Sequence, residues 1–196
     1  LAMGAYGYST NIGCAYIFYN DGSYPSAAAS ADVTITGETT GNYFGTTIAS
    51  GDLNADGKTD LVAGAYGYSS STGRAYIFYN DGSYPSAAAS ADVTINGAAT
   101  SDYFGYSFSA GDFNADGKID LAVDSYRYSS NTGCVYIFYN DGSYPSTAAS
   151  ADVAITGGAV NNYFGYSLTS GDFNADGKTD LAVGAKGYST NTGRAY

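Results

Sequence analysis

The chain copies itself every 60 residues: Leu1, Leu61, Leu121 and Leu181 align, with everything between them, without an insertion or deletion. A period this strict points to stacked equivalent units, each burying its faces against its neighbours. Within the stretch 103–157, four short segments lie between turn residues. YFGYSFSAGDF leads into an acidic loop, and DLAVDSY follows it directly, with Leu121 and Val123 on one side of a pleat. CVYIFYN at 134–140 is rich in β-branched and aromatic types. It runs into NDGSYP, where Asn140, Asp141 and Gly142 suit a tight turn and Pro145 would disturb an interior strand. ADVAITG at 151–157 alternates, with Val153 and Ile155 on one face. No segment has helical periodicity, and the AAAS stretches are too short and too closely flanked by Ser and Pro to form helices. The expected fold is therefore all-β: a β-propeller built of four-stranded antiparallel blades with a 60-residue repeat. A β-helix fits less well, because its coils are shorter.

One propeller segment is expected over 1–196, as repeats 1–60, 61–120 and 121–180 with a partial copy at 181–196. LAVGAKGYSTNTGRAY at the end nearly duplicates LAMGAYGYSTNIGCAY at the start, which reads as a segment cut from a longer array. Rings usually close with roughly four to eight blades, so continuation in a longer polypeptide, or pairing of two chains, is expected.

The same ten-residue acidic stretch occurs three times: GDLNADGKTD at 51–60, GDFNADGKID at 111–120 and GDFNADGKTD at 171–180. Half of the 18 acidic residues lie in these stretches, in a chain whose formal charge is −11. Asp172, Asn174 and Asp176 alternate, Gly177 permits a sharp turn, and Asp180 closes the set. Wrapping such a segment brings oxygen donors together, with the Lys178 carbonyl as a further donor, in a shell suited to a hard cation. Calcium is favoured over magnesium because it accepts more oxygens at looser geometry. Asp, Asn and Gly also populate ordinary turns. Three copies with the same donors at the same offsets, while neighbours vary (Leu53 against Phe113, Ile119 against Thr179), argue for the ion. An EF-hand is excluded, since it needs a glutamate at the twelfth position and flanking helices.

YFGYS, then GDFNADGKTDLAVGA, then GRAYIFYN resemble the FG-GAP repeat of integrin alpha-chain propellers and of bacterial secreted propeller proteins, over essentially the whole chain. The resemblance places the Phe-Gly pair at the first strand of each blade: Phe44-Gly45, Phe104-Gly105 and Phe164-Gly165. It implies calcium ligands at Asp52, Asn54, Asp56, Lys58 (carbonyl) and Asp60; at Asp112, Asn114, Asp116, Lys118 and Asp120; and at Asp172, Asn174, Asp176, Lys178 and Asp180. The chain departs from the family where Tyr66 and Lys186 replace the proline of Gly-Ala-Pro, and where the third copy reads Asp124-Ser125-Tyr126.

Composition narrows the function. The absence of histidine removes histidine-based triads, zinc sites and general bases. Net negative charge argues against a nucleic-acid partner, and no apolar run is long enough to span a bilayer. Three bound calcium ions would move the formal charge from −11 to −5 and relieve self-repulsion. The expectation is a non-enzymatic, calcium-stabilised structural or adhesive repeat protein, secreted or on a cell surface, that self-associates or continues in a longer array and builds fibres or filaments. Strict repetition offers no unique catalytic constellation, and a carboxylate-only enzyme is disfavoured because the aspartates are committed to metal.

The alternative is a lectin-like propeller whose partners are glycans, stacked on the rows Tyr16/Tyr76/Tyr136, Tyr19/Tyr79/Tyr139 and Tyr24/Tyr84/Tyr144. The competing reading of those rows is packing between blades, and cell-surface proteins are the other candidate partners. Cys14 and Cys134, which alternate with Arg74 and Arg194, are either buried small side chains or intermolecular links.

Overall fold

The computed structural model describes residues 1–196 and forms four antiparallel sheets. The first holds β1 (Ala2–Ala5), β2 (Cys14–Ile17) and β3 (Val33–Thr36). The second runs in chain order through β4 (Ile48–Gly51), β5 (Asp60–Ala65), β6 (Arg74–Phe78) and β7 (Val93–Asn96). The third repeats it with β8 (Phe108–Gly111), β9 (Asp120–Ser125), β10 (Cys134–Phe138) and β11 (Val153–Thr156). The fourth has β12 (Phe164–Gly171), β13 (Asp180–Ala185) and β14 (Arg194–Ala195). The two four-stranded sheets share one register: Gly51 opposite Asp60 and Leu61 opposite Phe78 in one, Gly111 opposite Asp120 and Leu121 opposite Phe138 in the other. These are propeller blades, as the sequence predicts.

The core lies between blades. Ile17, Ile35 and Phe44 pack with Leu61, Ala63, Tyr76 and Phe78, bringing the first two sheets together. Leu53, Val62, Ile77 and Phe104 pack with Leu121, Val123 and Phe138 across the next junction. Phe44 is fully buried and meets Tyr76 edge-on at 5.3 Å, and Phe104 meets Tyr136 at 6.0 Å. Aromatic pairs in this geometry add to the burial of their area. Each such Phe reaches back over the preceding blade onto a glycine: a Cβ on Gly13, Gly73 or Gly133 would lie 2.0, 2.1 and 2.0 Å from the carbonyl oxygen of Phe44, Phe104 and Phe164. Only glycine fits there, and its φ of +82° to +85° is one that other residues rarely adopt.

The second and third strands of each blade are joined by a left-handed turn, in which Ser69, Ser70 and Ser71, and their counterparts in the other copies, all have positive φ. Strands alone did not suggest this feature. Its use is geometric, because the turn presents the carbonyls of Ser71 and Thr72 to the N–H groups of Tyr103 and Phe104 in the next blade. Blades are also joined at their outer edge, where Thr36 N–H donates to the Ser86 carbonyl and Asn96 N–H to that of Ser146. The first strands β4, β8 and β12 lie against one another, with Ser170 Oγ donating to the Ala110 carbonyl.

Candidate metal centre

The three acidic loops join first to second strands, so they all lie at the end of the blades where β5, β9 and β13 begin. Their backbones match: Ala55, Ala115 and Ala175 have φ of +60°, +60° and +62°, and Gly57, Gly117 and Gly177 have +84°, +87° and +85°. Two left-handed residues two positions apart turn the chain back on itself, and the side chains hold that turn. In the second loop, Asp116 N–H donates both to Asp112 Oδ1 at 3.0 Å and to Asn114 Oδ1 at 2.9 Å. Gly117 N–H donates to Asp112 Oδ2 at 2.9 Å, and Lys118 N–H to Asp116 Oδ1 at 2.9 Å. The first and third loops repeat all four bonds.

The last aspartate of each set behaves differently from the other donors. Asp60 and Asp120 are buried, whereas Asp52, Asn54 and Asp112 are half-buried and Asp56, Asn114 and Asp116 exposed. Asp120 Oδ2 accepts from Phe113 N–H at 2.8 Å and Oδ1 from Asn140 N–H at 2.8 Å, tying the loop to the end of β10. Asp60 makes the same pair of bonds with Leu53 and Asn80. Asp180 accepts from Phe173 N–H alone. Burial raises the pKa of Asp60 and of Asp120, opposed by these backbone donors. Asp56 is instead held below the usual carboxylate range, chiefly by the Lys58 N–H.

The sequence predicts converged carboxylates, but the structure does not gather three acidic side chains of any loop into a metal-holding cluster. The physical reason is that the carboxylates face the N–H groups of their own loop, and the closing aspartate faces inward to the blade. The donor set still suits a hard cation. Asp112 and Asn114 already share one N–H, an ionised carboxylate keeps unused lone pairs after accepting two bonds, and every side-chain donor is oxygen. The resemblance gives Lys58, Lys118 and Lys178 a part only through their carbonyls, not their side chains. The Lys58 ammonium lies 3.5 Å from Asp56, while that of Lys118 donates to the Asn140 carbonyl.

The opposite end of the blades, past the last residues of β5, β9 and β13, carries a different cluster. Tyr6, Tyr43, Tyr66, Tyr103, Tyr126 and Tyr163 follow one another across the junctions at centroid separations of 6.3, 4.8, 5.4, 5.6 and 6.2 Å. Sequence reading met Tyr66 and Tyr126 only as departures from the family's Gly-Ala-Pro and missed the row, although Tyr6, Tyr66 and Tyr126 recur every 60 residues. Both faces of Tyr66 are covered by stacked tyrosine rings. Of the rows proposed for sugar stacking, Tyr76 and Tyr136 are buried, while Tyr19 and Tyr24 are exposed. Packing between blades accounts for the buried members.

The alternation of Cys and Arg has a local cause at one junction. Arg74 pairs with Glu38 at 3.1 Å, bonds Asn96 Oδ1 at 2.7 Å and covers the Tyr68 ring at 3.6 Å. At the next junction Ala98 stands where Glu38 does, and the equivalent of Arg74 is the buried Cys134. Cys14 and Cys134 are both buried and free, as the small-side-chain reading expects.

The FG-GAP repeat family matches residues 44–78, 104–138 and 164–196. The chain is 34% identical over 176 residues to integrin alpha-M of Mus musculus, covering 79% of this chain and 14% of that protein. It is 33% identical over 167 residues to integrin alpha-PS2 of Drosophila melanogaster, covering 77% of this chain and 12% of the relative. It is also 34% identical over 155 residues to phosphatidylinositol-glycan-specific phospholipase D of Bos taurus, covering 72% of this chain and 18% of the relative. The chain thus spans less than a fifth of each of these relatives.

The third relative overturns the expectation of a non-enzymatic protein, because the same repeats occur in a protein named as an enzyme. Absence of a unique catalytic constellation within a repeat describes that repeat alone.

Proposed function

The chain belongs to the FG-GAP repeat family, and on that premise we propose that it is a calcium-stabilised extracellular propeller segment serving as a structural or adhesive unit. The observation that carries the proposal is the threefold recurrence of one loop, with the same left-handed positions, the same four internal hydrogen bonds and the same oxygen donors. A turn that needed only to reverse the chain would not require three acidic side chains in each copy.

In this reading Asp52, Asn54, Asp56, the Lys58 carbonyl and Asp60 hold one ion. Asp112, Asn114, Asp116, Lys118 and Asp120 hold a second, and Asp172, Asn174, Asp176, Lys178 and Asp180 a third. Calcium, when bound, supplies positive charge to a segment of formal charge −11. The protein's own residues do the rest. Asp60 and Asp120, bonded to the segment just past β6 and β10 as well as to the loop, link order at the loop to the blade. Binding to the folded form then stabilises it by mass action.

The extracellular or cell-surface setting follows from the calcium supply there, and no helix is long and apolar enough to cross a membrane. The 1–196 segment, as repeats 1–60, 61–120, 121–180 and 181–196, is proposed to continue in a longer array or to self-associate into a filament, with cell-surface proteins as its partners.

Calorimetric titration of the chain with calcium tests the reading. It predicts three bound ions, one lost with each of Asp56→Ala, Asp116→Ala and Asp176→Ala. Absence of binding heat at millimolar calcium, or binding unchanged by these substitutions, would refute it.

A further inference from the structure

The second and third copies of one position, Tyr106 and Tyr166, face each other from adjacent blades, one just before β8 and one within β12. Their hydroxyls are 3.2 Å apart, their ring centroids 5.3 Å, and their planes differ by 35°. With the hydroxyls this close and the rings only moderately tilted, the carbons ortho to each hydroxyl are neighbours across the blade junction. The first copy of the position is Thr46, so the pair occurs at one junction only. Both rings are half-buried among other aromatics: Tyr126 lies edge-on to Tyr166 at 5.3 Å and within 4.8 Å of Tyr106, and the Lys186 ammonium sits 3.6 Å above the Tyr166 ring.

We propose that Tyr106 and Tyr166 form a site of oxidative cross-linking, joining through their ortho carbons to a dityrosine that staples the two blades. A one-electron oxidant, such as the oxidised haem of a peroxidase, removes an electron from each phenol, and each phenol releases a proton. The resulting phenoxyl radicals carry unpaired density on their ortho carbons, and the carbon–carbon bond forms there. Each ring regains its aromaticity as the ortho hydrogen leaves the carbon and a proton returns to the oxygen. The net change is the loss of two electrons and two protons, which together reduce one hydrogen peroxide to two waters at the haem. Put as a whole reaction, two tyrosines and one hydrogen peroxide give one dityrosine and two waters.

Two further features favour this pair over the other tyrosines of the chain. First, the oxidant need not reach it. Tyr6 is exposed, and Tyr43, Tyr66 and Tyr106 follow at centroid separations of 6.3, 4.8 and 5.6 Å, so a radical formed at the surface can pass inward by exchange between phenols. Second, the hydrogen bond from Tyr106, with the Lys186 ammonium, holds the Tyr166 phenol below its usual pKa while the same bond raises that of Tyr106, so Tyr166 is the first of the pair to lose its proton. A bond between positions 60 residues apart also closes a long loop, which restricts the unfolded chain more than the folded one.

The test is peroxidase with limiting hydrogen peroxide on the dilute chain, read by dityrosine fluorescence, intact mass and tryptic mapping. Expected is a monomer-sized product lighter by two hydrogens, with a higher thermal midpoint. Trypsin should yield a peptide joining residues 75–118 to 128–178, and fragmentation should place the bond at Tyr106 and Tyr166. Tyr106→Phe and Tyr166→Phe, which keep the stacked rings, should each abolish the joined peptide, while Tyr24→Phe should leave it. Cross-links formed only between molecules, a bond mapped to other tyrosines, or a joined peptide that persists in Tyr106→Phe would overturn the proposal. Mapping of the unmodified sequence decides the matter even if a variant fails to fold.

Discussion

The two ends of the blades obey different rules. At the acidic end all three copies keep the same oxygen donors, the same left-handed backbone and the same four hydrogen bonds within the loop. At the tyrosine end the copies diverge: Thr46, Tyr106 and Tyr166 share one position, Tyr6, Tyr66, Tyr126 and Lys186 another, and Gly4, Gly64, Asp124 and Gly184 a third. The difference teaches that whatever the acidic end does, each repeat does alone and in the same way. The substitutions that set one junction apart from another lie chiefly at the opposite end. Asp124 is the sharpest case. It is fully buried where its counterparts are glycine, and it has no cation beside it, only the N–H groups of Ser107 at 2.6 Å and Tyr126 at 3.2 Å.

The largest effect is expected where the acidic end enters the core. Asp120→Ala leaves the buried N–H of Asn140 without an acceptor, at about 1–3 kcal/mol, and the half-buried N–H of Phe113 as well. Chemical denaturation without calcium measures this, since the loss should appear even when no ion is bound. A loss of similar size from Asp176→Ala would erase the distinction between inward and outward aspartates.

Next is the buried carboxyl at the other end. Desolvation holds the Asp124 pKa well above the ordinary carboxylate range, so the folded state binds a proton that the unfolded state has released. Its contribution to stability is therefore full in acid and falls as pH rises from the ordinary carboxylate value to the raised one, by about 1.4 kcal/mol per unit of separation. Asp124→Asn should flatten that decline without touching the metal loops. Denaturation midpoints of the two proteins, compared across the acid-to-neutral range, check the sign.

Smaller still is the backbone of the acidic turn. Ala115 at φ +60° occupies a region where a Cβ is disfavoured, and Ala115→Gly should stabilise the folded loop by about 1 kcal/mol, less the entropy glycine adds to the unfolded chain. Equal shifts for Ala55→Gly and Ala175→Gly would show that the three loops are energetically alike. The smallest effect is at Lys186: Lys186→Met should cost about 0.5–1 kcal/mol of cation–aromatic attraction and raise the titration of Tyr166, followed by ultraviolet absorbance.

The strands were legible because their signals are local. DLAVDSY and CVYIFYN became β9 and β10 almost residue for residue, and Asn140-Asp141-Gly142 ends β10 as turn chemistry requires. The acidic loops were legible as turns with oxygen donors, and Gly57, Gly117 and Gly177 do take the positive φ expected of them. The inward rotation of Asp60 and Asp120 was not legible, since their partners Asn80 and Asn140 lie just past the ends of β6 and β10, 20 residues away.

The left-handed turn at Ser69 to Ser71 was hidden because serine is not a residue that announces positive φ. The tyrosine relay escaped because stacked neighbours such as Tyr66 and Tyr103 come from different blades. Ruling out an enzyme extended a property of the repeat to any protein that contains it, and the similarity to a phospholipase corrects that step.

Thermal unfolding of the chain, with millimolar calcium and then with excess chelator, tests whether an ion bound by the acidic end holds the blades together. The same pair of scans should be run on a variant carrying Asp56→Ala, Asp116→Ala and Asp176→Ala. The expected result is a large calcium-dependent rise in the midpoint of the unaltered chain and none in the variant. A midpoint indifferent to chelator in the unaltered chain would mean that the loops are turns alone, and would contradict the calcium role.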